Sequence, residues 1–580
     1  MEKKRMMEVI GKGHRANLRT RSWTGFILVS VIIVLAAVVS GLLRIRLDLT
    51  EDKRYTLSEP TREILKGISD DVYIQVFLDG EMPVPLKRLK RSVRDMLEEF
   101  RVASGRHIGY EFINPAEAPD ASTRQAQYED LIRKGLAPVN IMSGDDEGGS
   151  SRKMIFPGMI INYNGIEMPL DFLRNNQSVS YEQNIQHSVE GLEYELIQTI
   201  ATITSDTIYR VAFIEGHGEY DELYVADITR SLAKYFTIDR GKIGGRLGIA
   251  DHYAAVIIAG PEDEFNEADK LVIDQYIMKG GKVLWLLEEV DVNSDSLVFG
   301  ETMGLYRPLN LEDQLFRYGA RINPEVVQDL ECMVIPLTVL TGPEKKQIVP
   351  VPWLYYPRLI PSSGHPLTRN LNRVAGKFVN TIDTVGLDPA IRKTVLLSTS
   401  GYSRTIGPPM YISLKEADII PDEKTFTQQN LPVAILLEGI FPSAFRNRMT
   451  ESIVSDSDFV FQEQSIPTKM IVIADGEIIK NEVNMSGNSP GFYPLGKDRY
   501  TEEILGNKDF LVNCVNYLVD NNGLMELRSR EVKMRLLDRN KLRASAGLWQ
   551  TINVAGPVVI VILSGLLYGY FRRKKYAGNG

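Results

Sequence analysis

Two apolar runs without a charged residue, Ser22 to Leu43 and Ala544 to Phe571, stand near the two ends of the chain. Between them, hydrophobic positions recur at the shorter periods of strands and helices. At about 1.5 Å per residue, each run is long enough to cross a ~30 Å hydrocarbon core, and both predict spanning helices. The first run is followed by Leu43-Arg44-Ile45-Arg46 rather than by a small-x-small cleavage site, which predicts an uncleaved anchor. The second is entered at Trp549, left at Tyr568 and Tyr570, and stopped by Arg572-Arg573-Lys574-Lys575, an aromatic belt followed by a basic stop signal. Lys and Arg also dominate residues 1–21, so both tails are expected in the cytoplasm and the bulk of the chain outside.

Beyond the first run, Ser58 reads as an N-cap and Pro60 as a first-turn residue, predicting a helix over Glu59–Lys66. A strand over 72–78 follows, then a helix over 85–103 with an apolar stripe of Leu89, Val93, Met96, Leu97 and Phe100. Further elements are predicted as a strand over 108–113, a helix over 124–134, strands over 139–142 and 153–163, and a helix over 188–203. The consecutive carboxylates of Asp145-Asp146-Glu147 fit an exposed hairpin tip and lack the alternation of a calcium loop. This order of strand, helix, strand, helix, strand, strand, helix resembles a thioredoxin-like layer, without the Cys-x-x-Cys of a redox protein.

A second pattern starts at residue 209. Apolar strands over 209–214, 254–260 and 280–287 alternate with helices over 224–235 and 267–278, which predicts a parallel sheet covered on both faces. Later strands are expected over 394–398, 433–437 and 469–474, and a last helix over 508–519. Residues 330–368 and 400–430 are rich in Pro, Gly and Ser and are expected to be long loops or insertions.

Across 580 residues, 44% hydrophobic and 24% charged positions describe a chain with several packed cores, and a net charge of −8 does not suit a nucleic-acid coat. Cys332 and Cys514 lie in no reactive motif and are expected to be unpaired; with six scattered histidines they build no recognisable metal site. The richest polar cluster is Glu215-Gly216-His217-Gly218-Glu219, at the carboxyl end of a predicted parallel strand, the edge where open α/β sheets bind ligands. It is a candidate ligand site or a tight turn in which His217 satisfies buried groups. The chain holds no Gly-x-Ser-x-Gly elbow and no Gly-x-x-x-x-Gly-Lys-Ser/Thr loop, so no catalytic residue, cofactor or ATP hydrolysis is assigned to it. Small residues recur on both apolar runs, Gly25 and Gly41 on the first and Gly556, Ser564, Gly565 and Gly569 on the second, and are candidates for close contact with other membrane helices.

The segment Leu47-Asp48-Leu49-Thr50-Glu51-Asp52-Lys53-Arg54-Tyr55-Thr56-Leu57-Ser58, the Gly216-His217-Gly218-Glu219 turn, the strand Gly280-Gly281-Lys282-Val283-Leu284-Trp285 and an anchor at each end resemble the GldG family of gliding-motility ABC transporter accessory proteins of Bacteroidetes. The resemblance implies an inner-membrane protein with its bulk in the periplasm, partnered by an ABC permease subunit and a cytoplasmic ATPase subunit. It also implies an amidotransferase-like α/β head, with a saccharide as ligand and no catalytic residues to carry over. The expected fold class is thus α/β, a two-span membrane protein with a thioredoxin-like unit and an amidotransferase-like (Rossmann-like) unit. The layout runs from a cytoplasmic tail (1–21), a first span (22–43) and a connector (44–70) to the thioredoxin-like domain (71–205). The amidotransferase-like domain with its insertions (206–525) follows, then a linker (526–547), a second span (548–571) and a cytoplasmic tail (572–580). The competing reading is a membrane-tethered saccharide-binding protein or glycan-processing hydrolase, motivated by the carboxylates around His217.

Overall fold

The computed structural model describes residues 24–35, 56–144, 150–173, 179–205, 207–340, 346–386, 388–446, 448, 460–485, 490–529 and 545–577. The chain divides into two units, Met1–Leu57 and Ser58–Gly580. In the first, helix α1 (Thr24–Leu35) is apolar and exposed; the rest of the expected first span, Gly41 and the Leu47–Tyr55 part of the motif lie outside the described residues.

The second unit opens with α2 (Glu59–Lys66), whose Ser58 cap accepts from the Thr61 amide. A four-stranded layer follows, built from β1 (Val72–Val76), α3 (Val84–Ala103), β2 (Ile108–Phe112), α4 (Ala121–Arg133), a separate ladder of β3 (Val139–Gly144) with β4 (Ser150–Ile155), β5 (Gly158–Tyr163), β6 (Ile166–Asp171) and α5 (Tyr181–Thr204). The sheet order is β2-β1-β5-β6, with β1 parallel to β2 and antiparallel to β5. Two expectations are corrected here. The run 153–163 is two strands in different sheets, β4 paired with β3 and β5 with β1 and β6, and they part at Phe156 and Pro157, where the proline offers no amide donor. Helix α5 starts seven residues earlier than expected, nucleated by a capping box between Ser180 and Gln183.

The large sheet has ten strands. Its parallel half contains β7 (Arg210–Glu215), β8 (Thr237–Lys242), β9 (Ala255–Ala259) and β10 (Val283–Leu286). Its antiparallel half contains β11 (Cys332–Leu340), β12 (Lys346–Pro361), β13 (Ile391–Ser398) and β14 (Pro432–Gly439), joined through β15 (Thr468–Ile473), which runs parallel to β10. The spatial order is β11-β12-β13-β14-β15-β10-β9-β7-β8, with Val374–Ala375 added beside β12. Alternate strand residues feed two cores. Val211, Phe213, Ile257 and Leu284 pack in one core with Ile228 and Leu232 of α6 (Ala226–Leu232) and with Phe510, Leu511 and Leu518 of α9 (Asn507–Val519). Ala212, Ile214, Ile258 and Trp285 share the other with Val272, Ile273 and Ile277 of α7 (Glu267–Met278) and Leu315 of α8 (Glu312–Tyr318). Cover on both faces explains why β9 and β10 are apolar at every position.

The loop expected over 330–368 is instead largely strand, β11 and β12, whereas 400–430 is mostly irregular chain and short turns, as expected, with two four-residue strands at Ser403–Ile406 and Met410–Ser413. Proline content misleads here because of register. Pro336 faces Pro350, and Val334 faces Pro352. Two opposed prolines can occupy only a non-hydrogen-bonded pair, so their nitrogens point away from the β11–β12 ladder and cost it nothing. They remove donors from the outer edges of a ribbon that β13 joins only at Ile360 and Pro361. Replacing Pro336, Pro350 and Pro352 together by Thr is therefore expected to make the detergent-solubilised chain associate with rising concentration, read by light scattering. An unchanged molar mass would show that these edges are protected otherwise.

A final helix, α10 (Ala546–Ala577), contains a 26-residue apolar stretch, Ala546–Phe571, with a mean hydropathy of 2.0 and no burial against the protein. It is long and apolar enough to cross a membrane.

Candidate functional site

In spatial order the parallel strands run β8-β7-β9-β10-β15, so the chain reverses direction of growth between β7 and β9, the switch point at whose carboxyl edge open α/β sheets form a crevice. The turn after β7 carries the Glu215–Glu219 cluster. Glu215 accepts from Arg240 Nε of β8 at 2.7 Å, and Arg240 Nη2 donates to the Tyr220 carbonyl at 2.7 Å. Gly216 and Gly218 turn the chain, and at Gly218, with φ +76°, a Cβ would also lie 3.0 Å from the Cβ of Glu262.

His217 is buried and stacked on Phe265, with ring centroids 3.7 Å apart. Its Nδ1 lies 3.1 Å from Glu219 Oε1 and its Nε2 3.0 Å from Asp269 Oδ2, on the first turn of α7. Asp269 also accepts from the Gly245 amide at 2.6 Å and from Asn266 Nδ2 at 2.7 Å. A neutral imidazole would place a lone pair against one carboxylate, so this geometry favours the imidazolium. Burial alone would lower the His217 pKa, but Glu219 and then Asp269 outweigh it and hold it above the ordinary value.

The switch-point crevice is occupied by the chain itself. The amides of Glu262 and Asp263 donate to the His217 carbonyl at 2.8 and 2.9 Å, and the Tyr220 amide to the Ala259 carbonyl at 3.2 Å. The Tyr220 ring stands where a side chain at Gly260 would be, 2.4 Å from a Cβ built there.

A second ionisable cluster lies beside it, at the ends of β10 and β15. Glu288 Oε1 accepts from the Glu477 amide at 3.0 Å, and its Oε2 lies 3.6 Å from Arg307 Nη1. Asp475, fully buried, accepts from the Ile478 and Lys377 amides, each at 3.1 Å. Glu477 Oε1 accepts from Lys480 Nζ at 3.0 Å. At Gly476 a Cβ would lie 3.0 Å from the Gly260 Cα and 3.3 Å from Glu288 Oε1, so the turns after β9 and β15 close over the end of β10. Burial first, then the charge of Glu477, pushes Glu288 up to about 7. Burial also raises Asp475, whereas for Glu477 the attraction of Lys377 and Lys480 overcomes burial and lowers the pKa. Motif reading missed this cluster, whose members come from distant parts of the chain; the only signal was a pair of acidic residues following an apolar strand.

Residues 209–514 match the family described as an ABC-type uncharacterized transport system. The chain belongs to this family. It is accordingly an auxiliary component of an ABC transport system. Residues 51–162 match a domain of unknown function (DUF7088). No curated protein matches the chain. Among solved structures, it is similar to one titled mmIFT52 N-terminal domain, at 12% identity and a TM-score of 0.30, over 54% of this chain and 98% of that one.

In this ABC-system protein, the small residues of α10 do not form one stripe. Gly565 and Gly569 are four positions apart and share a face of α10, whereas Gly556, nine positions before Gly565, points to the opposite side, and Ser564 is a quarter-turn away. Gly25 lies in α1, with nothing within 4 Å of a Cβ built on it. Cys332 and Cys514 are both free, and burial raises both thiols, Cys332 to about 11, which keeps them protonated.

His217 and Glu288 set the expected pH response. The raised His217 pKa means that its stabilising contribution is complete below about 6.5 and is lost as pH rises through the folded value. The raised Glu288 pKa acts in the same direction, with a contribution lost between about 4.5 and about 7. His217→Phe leaves two buried carboxylates without their cation and should cost about 3–5 kcal/mol at pH 6. Glu288→Gln should flatten the fall in melting temperature between pH 5 and 8. A fall of equal steepness in that variant would remove Glu288 as its cause.

Proposed function

We propose that the chain is a non-catalytic accessory subunit of an inner-membrane ABC transporter, held by two spans with both tails in the cytoplasm and its α/β head in the periplasm. In this reading it partners a permease subunit and a cytoplasmic ATPase subunit, and the transporter serves gliding motility. The observation that carries the non-catalytic part is the switch-point crevice filled by Tyr220 and tied shut through His217, Glu219 and Asp269. These side chains spend their polar atoms on one another, which favours the Glu215–Glu219 turn as a lock over a saccharide site. The charge bias of the tails supports the orientation, and the β2-β1-β5-β6 order supports a thioredoxin-like first layer. The resemblance to GldG proteins supports the motility assignment.

One observation favours the hydrolase reading, the buried Glu288 whose carboxyl titrates near neutrality beside Asp475 and Glu477. Retained motility and transport in Glu288→Gln and Glu477→Gln would dispose of it.

Purification of the tagged chain in mild detergent is expected to recover a multispanning permease and an ATPase. Gly565→Leu with Gly569→Leu should reduce that recovery at least about tenfold, because close helix approach in lipid depends on small residues. Undiminished recovery would make α10 an anchor only. Reporter fusions at residue 150 should be active outside and those at residue 578 inside; a mature N-terminus beginning after residue 43 would contradict two spans.

A further inference from the structure

A cavity of about 390 Å³ opens between the β11–β12 ribbon and the segment that follows the Met410–Ser413 strand. A capping box between Ser413 and Glu416 starts the short turn Leu414–Asp418, and the chain leaves it extended at Ile419. Tyr355 Oη of β12 donates to Glu416 Oε2 at 3.0 Å and fixes the turn against the ribbon. The outer wall is apolar and reachable from solvent: Ile419 and Ile420 are 65% and 93% exposed, and Leu354 and Pro421 are half-buried. At the other end of the turn, the Leu414 amide donates at 2.9 Å to the carbonyl of Gly300, which directly follows Val298 and Phe299, 85% and 88% exposed. Apolar side chains this exposed, brought to one place by two loops, mark an interaction surface. The charged groups that line the cavity are Glu416, Asp418 and Glu423, all carboxylates; Lys415 and Lys424 of the same segment do not line it. Among the described residues, Asp418 and Glu423 form no ion pair. The guanidinium of Arg404, close enough to act on Tyr355, is committed to Gln328 Oε1 at 2.7 Å and Thr425 Oγ1 at 2.9 Å.

We infer that this cavity docks a partner polypeptide through an apolar side chain flanked by Lys or Arg. Charge complementarity selects that occupant. An all-acidic rim attracts a basic flank and repels an anionic lipid surface, and in a contact between two copies of this chain it would meet its own carboxylates. The inference goes beyond the accessory role and does not rest on the permease and ATPase assignment, because the test identifies whichever chain is bound. The photocrosslinker benzoylphenylalanine, placed at Ile420 of the full-length protein in its native cells, tests it. Mass spectrometry of the adduct is expected to find the attachment on another polypeptide, within about three residues, or ~10 Å of extended chain, of a Lys or Arg. The crosslinker at Glu129, exposed on α4, should not give that adduct. Asp418 and Glu423 are both exposed, so their replacement leaves the core untouched; Asp418→Lys with Glu423→Lys should cut the adduct at least about fivefold, and Lys415→Glu should not. A lipid adduct, an adduct with a second copy of this chain, no adduct, or a yield unmoved by the charge reversal would overturn the inference.

Discussion

The imidazole of His217, held between the carboxylates of Glu219 and Asp269, ties the turn after β7 to the first turn of α7 and, through Asp269, to the backbone at Gly245. One buried cation thus joins three segments that converge on the carboxyl edge of the large sheet. Removing it would strand two buried carboxylates, an outcome far costlier than the loss of one hydrogen bond. The aromatic stack on Phe265 and the two amides donated to the His217 carbonyl depend on the same ring position. In an open α/β sheet this edge ordinarily remains a crevice; here the lock draws the turns after β7 and β9 together with Tyr220 between them.

The neighbouring cluster is arranged by a different constraint. Gly476 and Gly260 bring two turns within backbone contact over the end of β10, which buries Glu288 and Asp475. Backbone amides and the cations Arg307, Lys377 and Lys480 compensate, and the carboxylates diverge in acidity according to their share of that compensation. Such an edge is closed over its carboxylates, and its Glu288 and Asp475 are held above the ordinary carboxylate range. The chain belongs to an ABC transport auxiliary family, and its α10 is long and apolar enough to cross a membrane.

The α/β character, the alternation of strands with helices from residue 209 and the apolar C-terminal helix were legible because each rests on local periodicity or on simple length. Helix α7 was located to the residue, with Asn266 capping its first turn by accepting from the Asp269 amide, although it is buried on every side rather than along one stripe. The Glu215–Glu219 turn was legible as a concentration of charge and glycine beside a buried strand. Its use was not, because Asp269 arrives from another element, 52 positions away. The β11–β12 ribbon was misread as loop since proline frequency carries no information about register, and only pairing shows that Pro336 and Pro350 face each other.

The sequence by itself therefore determined what depends on neighbours along the chain: the apolar length of α10, the amphipathic stripes, the caps and the identity of the residues at the sheet edge. Tertiary structure alone decided which carboxylates share one burial site, since Glu288 meets Glu477 across 189 positions. It also decided that the switch point is filled. The physical reason is that burial and electrostatic pairing are properties of spatial neighbours, and a parallel sheet makes neighbours of strands separated by whole helices and insertions.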